Sequence, residues 1–278
     1  IGGSSMGGLM ALYAAMMHSD VYSKAVSVSP HIYPVYKSLR EDLGCTIHEN
    51  TEIYISWGGL EYKPHIMAMA TDQNNPHHCY SVGEHILHSM KHIKNDKVLR
   101  LTMLFHDMGK PKSKTIDEKG VHHFHGHNEI SENIAEEVLK RLRFDNDTLY
   151  KVKSLVFFHD YHPALTDKSV RKFITKIGKE LVPLYLRVQK ADVLAQSEYK
   201  RDEKLAKIEE VSKIYDGIIE RGECLSLKEL AVNGKDLMDC GISPGKEIGE
   251  TLEHFLQMVI ANPSLNEKEI LLNNLPKK

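Results

Sequence analysis

A histidine and an aspartate stand side by side at positions 106 and 107, at the end of an apolar run. Side chains of neighbouring helix residues point about 100° apart, so both reach one point only when the backbone lies close to what they bind. Imidazole nitrogen and carboxylate oxygen suit a hydrolytic divalent metal. The doublet is also compatible with a helix C-terminus in which His106 favours the helix dipole, Gly109 caps the helix and Pro111 prevents its continuation.

Two further residues could complete a coordination shell around this doublet. His85 lies on a predicted helix, at the border of its apolar face. Asp192 lies inside a predicted helix between apolar neighbours, where a carboxylate needs a cation or several hydrogen-bond donors. A metal ion would satisfy Asp192, and so would a salt bridge to a lysine or an arginine.

Most of the 17 histidines fall within residues 77–162. His127 precedes a predicted helix, whose free N–H groups suit a phosphate or a second metal. His159 ends an apolar helix and is followed by Asp160. These three residues could form a second metal site or supply acid chemistry, or they could be ordinary helix-end residues. Lys110 could hold a phosphate or be an exposed charge.

The chain changes character near Lys63 and Pro64. Before this point, patterns for a helix at 9–17 and strands at 24–29 and 52–57 alternate, as in a parallel sheet. After it, strand signals nearly vanish and amphipathic helices are predicted at 82–93, 97–107, 129–142, 148–159, 168–177, 183–197, 203–219 and 246–260. A softer boundary near Gly222 precedes a shorter helical tail. We therefore expect a mainly α protein with domains at 1–63, 64–222 and 223–278.

The composition is typical of a soluble globular protein, with 41% hydrophobic and 27% charged residues over 278 positions. A formal net charge of -2 gives no overall basic excess for nucleic acid, although a local basic patch could exist. No stretch is as long and apolar as a membrane span, and no signal peptide pattern opens the chain, so we expect a cytoplasmic protein without a membrane partner. The four cysteines form no C-x-x-C pair, which indicates reduced thiols. Because the chain begins at Ile1, we expect a fragment of a longer protein.

The order His85, His106, Asp107, Asp192 resembles the HD-domain metal-dependent phosphohydrolases, an all-helical superfamily. The segments 75–85, 104–111, 124–127 and 191–197 resemble the HD region of bacterial tRNA nucleotidyltransferases, the CCA-adding and poly(A) polymerase family. Residues 232–249 resemble the C-terminal region of that family. The resemblance implies an all-helical HD-domain bundle with a helical C-terminal tail, preceded by a small partial α/β segment.

The resemblance also implies a mechanism. A divalent ion (Mn, Ni, Co, Fe, Zn or Mg) would be held by His85, His106, Asp107 and Asp192, and Asp107 would steer the attacking water. His127, His159 and Lys110 would contact phosphate, or His127, His159 and Asp160 would hold a second ion. The expected substrates are phosphomonoesters or 2′,3′-cyclic phosphodiesters of nucleotides or RNA 3′ ends, including tRNA. CCA addition is not expected, because residues 1–63 do not resemble the nucleotide-adding head of that family.

Two other functions stay open. The helical body could be a non-catalytic module that binds tRNA or another RNA. The segment Gly3-Ser4-Ser5-Met6-Gly7 fits the G-x-S-x-G nucleophile elbow and resembles the α/β-hydrolase esterases. That resemblance implies Ser5 as nucleophile, the Met6 amide as oxyanion donor and Glu61 as the acid. Because no histidine follows Glu61 in the expected setting, we expect residues 1–63 to be a fused remnant of an esterase.

Overall fold

In the computed structural model, the residues described are 71–275, Ala68 and three short strands near the start of the chain. The strands are β1 (Gly2–Gly3), β2 (Lys24–Ser27) and β3 (Glu52–Ile55). They form a parallel sheet in the order β1-β2-β3, in which Gly2 pairs with Val26 and Lys24 with Glu52. The parallel arrangement predicted for this segment is confirmed. The predicted helix at 9–17 and the residues Ser5, Met6 and Glu61 lie outside the described residues.

The rest of the described chain is mainly helical, as predicted. Its helices are α1 (Val82–Lys91), α2 (Lys97–Phe105), α3 (Lys110–Ser113), α4 (His127–Arg141), α5 (Asn146–Phe158), α6 (Asp167–Ile177), α7 (Val182–Leu194), α8 (Arg201–Glu220), α9 (Gly234–Asp239), α10 (Lys246–Ala261) and α11 (Lys268–Asn273). None of the described helices is long and apolar enough to cross a membrane. The eight helices predicted from periodicity agree with the structure to within three residues at each end.

Side-chain caps fix where several of these helices begin. Ser81 and Glu84 form a capping box at α1, in which the Glu84 N–H donates to Ser81 Oγ and the Ser81 N–H donates to Glu84 Oε2. Asp96 accepts from Leu99 N at the start of α2, and Asp145 accepts from Thr148 N at the start of α5. Each cap satisfies an otherwise unpaired backbone donor and contributes about 1 kcal/mol.

The described residues divide into two compact units. The first contains the residues up to Tyr161 together with Pro183–Leu205, and the second contains His162–Val182 and the residues from Ala206 onward. The core of the first unit brings together α1, α2, α4 and α5 through the buried side chains Val82, Ile86, Leu101, Phe105, Met108, Ile134, Ala135, Val138, Leu139, Val152 and Val156. Phe105 and Met108 directly flank the His106–Asp107 doublet, so packing of this core fixes the backbone that carries it.

A small hairpin, formed by β4 (Thr115–Ile116) and β5 (His122–His123), interrupts the helices of the first unit. The His122 N–H donates to the Asn74 carbonyl, and the Asn74 N–H donates to His122 Nδ1, each over 3.0 Å. These bonds tie the hairpin to the chain that precedes α1. The hairpin was not predicted, because two-residue strands show no alternation that sequence reasoning can detect.

The second unit is organised around α10. Its core consists of Cys224, Val232, Leu237, Phe255, Leu256, Val259, Ile260 and Leu271, which lie on α9, α10, α11 and the connections between them. Short 3-10 turns at Lys179–Leu181, Leu227–Glu229 and Pro263–Leu265 join its helices. The predicted domain bounds 1–63, 64–222 and 223–278 stay a prediction.

Arg171 links three parts of the second unit. Its guanidinium lies 2.8 Å from Glu223 Oε2, and its Nε donates to the Ile260 carbonyl over 2.7 Å. Both charged side chains are less than a tenth exposed. Arg171→Ala should therefore lower the free energy of unfolding by about 1–3 kcal/mol, because it leaves the Ile260 carbonyl without its partner and the buried Glu223 carboxylate with Arg221 alone. Denaturant unfolding of this variant and of Lys172→Ala, an exposed neighbour, measures the effect. Equal stability of the two variants would contradict it.

Candidate metal centre

Three helices of the first unit bring the four predicted metal ligands together. His85 lies in the second turn of α1, His106 and Asp107 follow the last residue of α2, and Asp192 lies in α7. His85, His106 and Asp107 are at most 1% exposed. The Asp192 side chain is 14% exposed, so this group has one edge near solvent.

Three of these residues form one compact group of ligand atoms, and the fourth lies beside it. His85 Nε2 is 3.3 Å from His106 Nε2 and 3.4 Å from Asp107 Oδ2, and His106 Nε2 is 3.4 Å from Asp107 Oδ2. Asp192 Oδ1 lies 2.7 Å from His85 Nε2 and 3.7 Å from His106 Nε2. Imidazole nitrogens and carboxylate oxygens are a mixed ligand set suited to a divalent metal.

A second group shares the Asp107 carboxylate. His127 Nε2 and His159 Nε2 are 3.1 Å apart, and they lie 3.4 and 3.5 Å from Asp107 Oδ1. Oδ2 of Asp107 faces the first group and Oδ1 faces the second, so this carboxylate lies between them. Asp160, the other residue predicted here, is exposed and belongs to neither group of candidate ligands among the described residues.

The four imidazoles are held in one tautomer. His106 Nδ1 lies 2.7 Å from the Met103 carbonyl, His127 Nδ1 lies 2.7 Å from the Phe124 carbonyl, and His159 Nδ1 lies 2.6 Å from the Val156 carbonyl. His85 Nδ1 lies 3.3 Å from the Ala195 carbonyl. Since a carbonyl only accepts, each Nδ1 donates in these contacts, and each Nε2 is directed at the centre, where it can take a proton or a metal ion.

The Nε2 lone pairs of these four histidines favour a bound cation. Two neutral imidazoles in this tautomer would turn the lone pairs of His85 and His106 towards each other at 3.3 Å, and those of His127 and His159 at 3.1 Å. Asp107 Oδ2 is also buried, with Lys110 Nζ 2.8 Å away and the two imidazole nitrogens of His85 and His106 each 3.4 Å away. Repulsion between these atoms is relieved when a proton or a metal ion lies between them. The residues present therefore fit a metal.

The pKa values of the groups at the centre also favour a bound cation. Burial acts to lower the pKa of His106, but the carboxylates of Asp107 and Asp192 outweigh it and raise that pKa to about 10. Burial acts to raise the pKa of Asp107, but Lys110 and His106 hold it well below its usual range. Both carboxylates are thus charged at neutral pH, and the site attracts positive charge.

In the second group, burial outweighs the attraction of the Asp107 carboxylate for a protonated histidine. Burial, together with the neighbouring His159, lowers the pKa of His127 to about 4. Its position is set by Gly126, whose φ of +71° lies in the left-handed region and turns the chain sharply into α4. His127 is consequently the first residue of α4, whereas the helix predicted from the sequence begins only at residue 129. A neutral, buried imidazole is the form that binds metal.

Lys110 is buried rather than exposed. It is 6% exposed, its Nζ lies 2.8 Å from Asp107 Oδ2, and it donates to Gln73 Oε1 over 2.9 Å. Its first role is therefore to compensate the charge of Asp107. Contact with a phosphate stays a prediction.

Several polar residues at the centre were not predicted. Gln196 Nε2 donates to the second oxygen of Asp192 over 3.0 Å. Gln189 Nε2 donates to the carbonyls of His159 and Tyr161 over 3.1 and 3.0 Å, and so fixes the end of α5 against α7. Their signal in the sequence is weak, since glutamines three residues before and four residues after Asp192 are compatible with any helix.

Comparison with known proteins gives the family. The family model for tRNA nucleotidyltransferase domain 2 matches residues 118–275, which is more than half of the chain. The chain belongs to the tRNA nucleotidyltransferase domain 2 family. The resemblance to tRNA nucleotidyltransferases is thereby confirmed.

The Esterase family model also matches more than half of the chain, over residues 1–148, and the chain belongs to that family through its first half. The two matched ranges share residues 118–148.

Three curated relatives agree with the first of these matches. The CC-adding tRNA nucleotidyltransferase of Thermus thermophilus is 30% identical over 206 residues, which are 70% of this chain and 45% of that protein. The A-adding tRNA nucleotidyltransferase of Deinococcus radiodurans is 28% identical over 164 residues, 56% of this chain and 36% of that protein. The CCA-adding enzyme of Ligilactobacillus salivarius is 42% identical over 53 residues. The chain spans less than half the length of these relatives.

Gly109 is the point where the doublet meets α4. A Cβ at this position would lie 2.2 Å from the His127 carbonyl oxygen and 2.8 Å from Ser131 N, and the Gly109 N–H donates to Ser131 Oγ over 2.8 Å. Gly109→Ala should force the first turn of α4 away from Asp107. We expect a loss of about 1–3 kcal/mol of stability and metal binding weakened about 10- to 100-fold.

The matched control is Gly249→Ala. Gly249 lies within α10, and a Cβ there would meet no atom within 4 Å. This change should leave metal binding intact and stabilise the helix by about 0.5–1 kcal/mol. Thermal unfolding and equilibrium metal titration of both variants test the expectation. Wild-type metal affinity in Gly109→Ala would show that the close approach does not position His127.

Proposed function

We propose that this chain is a metal-dependent phosphohydrolase of the HD-domain type, with the HD domain at 64–222 and a helical tail at 223–278. Its substrates are phosphomonoesters or 2′,3′-cyclic phosphodiesters of nucleotides or RNA 3′ ends. One observation carries the proposal: four buried imidazoles direct their Nε2 atoms at one shared carboxylate, Asp107. Such a set of ligands is costly to bury unless a cation compensates it.

The ligands of the first ion are His85, His106, Asp107 and Asp192, and His127, His159 and Asp107 are those of a second ion. A bound divalent ion supplies a water whose pKa falls from about 15.7 towards about 7, and positive charge for the phosphoryl oxygens. Nitrogen and oxygen ligands of this kind are compatible with Mn, Ni, Co, Fe, Zn and Mg.

The side chains of the chain itself have separate roles in this proposal. Asp107, held as a carboxylate by Lys110, orients the attacking water by accepting its hydrogen bond. His159 is fixed at Nδ1 by the Val156 carbonyl and directs Nε2 at the site, so it can contact a phosphoryl oxygen or the leaving group. If only one ion binds, His127 and His159 act as substrate ligands and proton donors.

The names of the relatives support a substrate from tRNA metabolism. The curated relatives are a CC-adding and an A-adding tRNA nucleotidyltransferase and a CCA-adding enzyme. Two of these names include tRNA, and an RNA 3′ end is the class of substrate that we propose for this chain. The hydrolytic activity rests on the metal centre and not on those names.

The experiment is the double change His106→Ala with Asp107→Ala. It removes one ligand of the first group and the carboxylate common to both groups, so bound metal and hydrolysis of 2′,3′-cyclic nucleotides should both fall to background. His92→Ala, which removes an exposed histidine near the end of α1, should leave both unchanged. Metal content is measured by elemental analysis, and hydrolysis by chromatographic separation of the cyclic nucleotide from its 2′- or 3′-monophosphate product. Undiminished hydrolysis in the double variant would defeat the proposal.

A second candidate is a non-catalytic module that binds tRNA or another RNA. The family match over residues 118–275, which includes residues 223–275 of the helical tail, favours it. It predicts that tRNA binds the metal-free His106→Ala, Asp107→Ala variant as tightly as the wild type, with an affinity that falls as salt rises. Filter binding at several salt concentrations measures this. Binding that needs the intact metal ligands would argue for the enzyme instead.

A serine esterase acting through Ser5 is the third candidate. The Esterase family match over residues 1–148 supports it, and β1 ends two residues before Ser5, as a nucleophile elbow requires. The roles of Ser5, Met6 and Glu61 stay predictions, as does the interpretation of residues 1–63 as a remnant.

A further inference from the structure

Two chain segments of the first unit are bound together beside the proposed metal centre. The Ser197 N–H donates to the His77 carbonyl over 2.9 Å, and Ser197 Oγ donates to the Pro76 carbonyl over 2.6 Å. The same hydroxyl accepts from Tyr199 N over 3.3 Å. These bonds fix residues 76–77 and 197–199 as one surface, which we call the Tyr199 surface.

The Tyr199 surface is continuous with both sides of the first ligand group. Gln196, next to Ser197, donates to Asp192 Oδ2. His78, next to His77, has its ring centroid 5.1 Å from that of His85. A ligand whose phosphate is held at the metal centre would therefore extend its next chemical group over this surface.

An aromatic ring is presented at this place. The Tyr199 side chain is 45% exposed, and the His77 ring meets it edge-on at 5.1 Å between centroids and an interplanar angle of 65°. The Lys200 ammonium lies 5.6 Å from the ring centroid. The His77 contact anchors the ring and the lysine ammonium lies over it, while nearly half of the side chain stays exposed and so can stack on a nucleobase.

Fixed cations lie between this ring and Asp192. Lys204 is half-buried and its Nζ donates to Gln196 Oε1 over 2.5 Å, while Arg201 donates to the Gln196 carbonyl over 2.7 Å. The nearby carboxylate of Glu198 is 94% exposed and only 4.0 Å from Arg201, so it is a screened partner. Cations on the metal side and an aromatic ring beyond them match the order of phosphate and base in a nucleotide.

We propose that Tyr199 stacks on the nucleobase of the substrate, so that the site selects nucleotides and RNA ends over simple phosphomonoesters. This inference rests on the proposed function and adds to it the residue that sets the class of substrate. Tyr150 offers a comparison outside the site: it is 53% exposed and lies in α5, where its neighbour Lys151 pairs with Asp147.

Binding is measured first, by isothermal titration of the metal-loaded full chain with the phosphonate analogue of 5′-AMP, which cannot be hydrolysed and is called AMP below, and with adenosine. The wild type should prefer AMP because of the adjacent cations. Tyr199→Ala should weaken AMP binding about 5- to 100-fold, the range for loss of one stacked base, whereas Tyr199→Phe keeps the ring and should bind like the wild type. Tyr150→Ala is the matched control and should change nothing. A wild type that binds no AMP, or equal binding by Tyr199→Ala, would overturn the inference.

Hydrolysis is measured second, on 2′,3′-cyclic AMP and on glycerol phosphate with the metal-loaded chain. Tyr199→Ala should lower kcat/KM for the cyclic nucleotide by a similar factor and leave glycerol phosphate unaffected. An equal loss on both substrates would contradict a base-stacking role. If the wild type binds AMP through Tyr199 but hydrolyses no phosphoester, the nucleotide subsite is supported and the proposed hydrolase function is contradicted.

Discussion

The burial of one carboxylate, Asp107, constrains the whole first unit. An ionised carboxylate away from water costs several kcal/mol unless compensating charge or donors surround it. Here Lys110 approaches Oδ2 at 2.8 Å, and imidazoles from α1, α4 and the end of α5 surround both oxygens. Each of these elements must reach the carboxylate at the same time. The core around Phe105 and the close approach at Gly109 are the means by which they do so.

The C-terminal ends of α2 and α5 position two of the histidines at the centre. The last four carbonyls of an α-helix have no partner within the helix, and a side chain placed just after the helix can use them. His106 follows α2 and is held by the Met103 carbonyl, and His159 follows α5 and is held by the Val156 carbonyl. The same backbone groups thus terminate the helix and set the tautomer of the histidine. The helix-end interpretation and the metal-ligand interpretation of His106 describe one arrangement and do not compete.

The elements of the fold that have a periodic hydrophobic pattern could be predicted from the sequence. Eight long amphipathic helices and the parallel strands could be predicted from periodicity, and the doublet with His85 and Asp192 from the chemistry of burying a carboxylate. Short elements such as α3, α9 and the β4–β5 hairpin could not, because they span less than two periods of their pattern. The burial of Lys110 and the position of Asp107 between the two ligand groups could not be predicted from the sequence either. They depend on which helices pack together, and that is a tertiary property.

Sharing of Asp107 makes the two ligand groups a single electrostatic system. Any cation bound at Oδ2 lowers the negative charge that His127 and His159 experience at Oδ1, and the reverse holds by the same coupling. Gln189 strengthens this connection mechanically, because it fixes the backbone of His159 from the helix that also carries Asp192, one turn further on. Substitutions in the two groups should consequently be non-additive. A change in occupancy or position on one side alters the other through a carboxylate and a helix that both groups share.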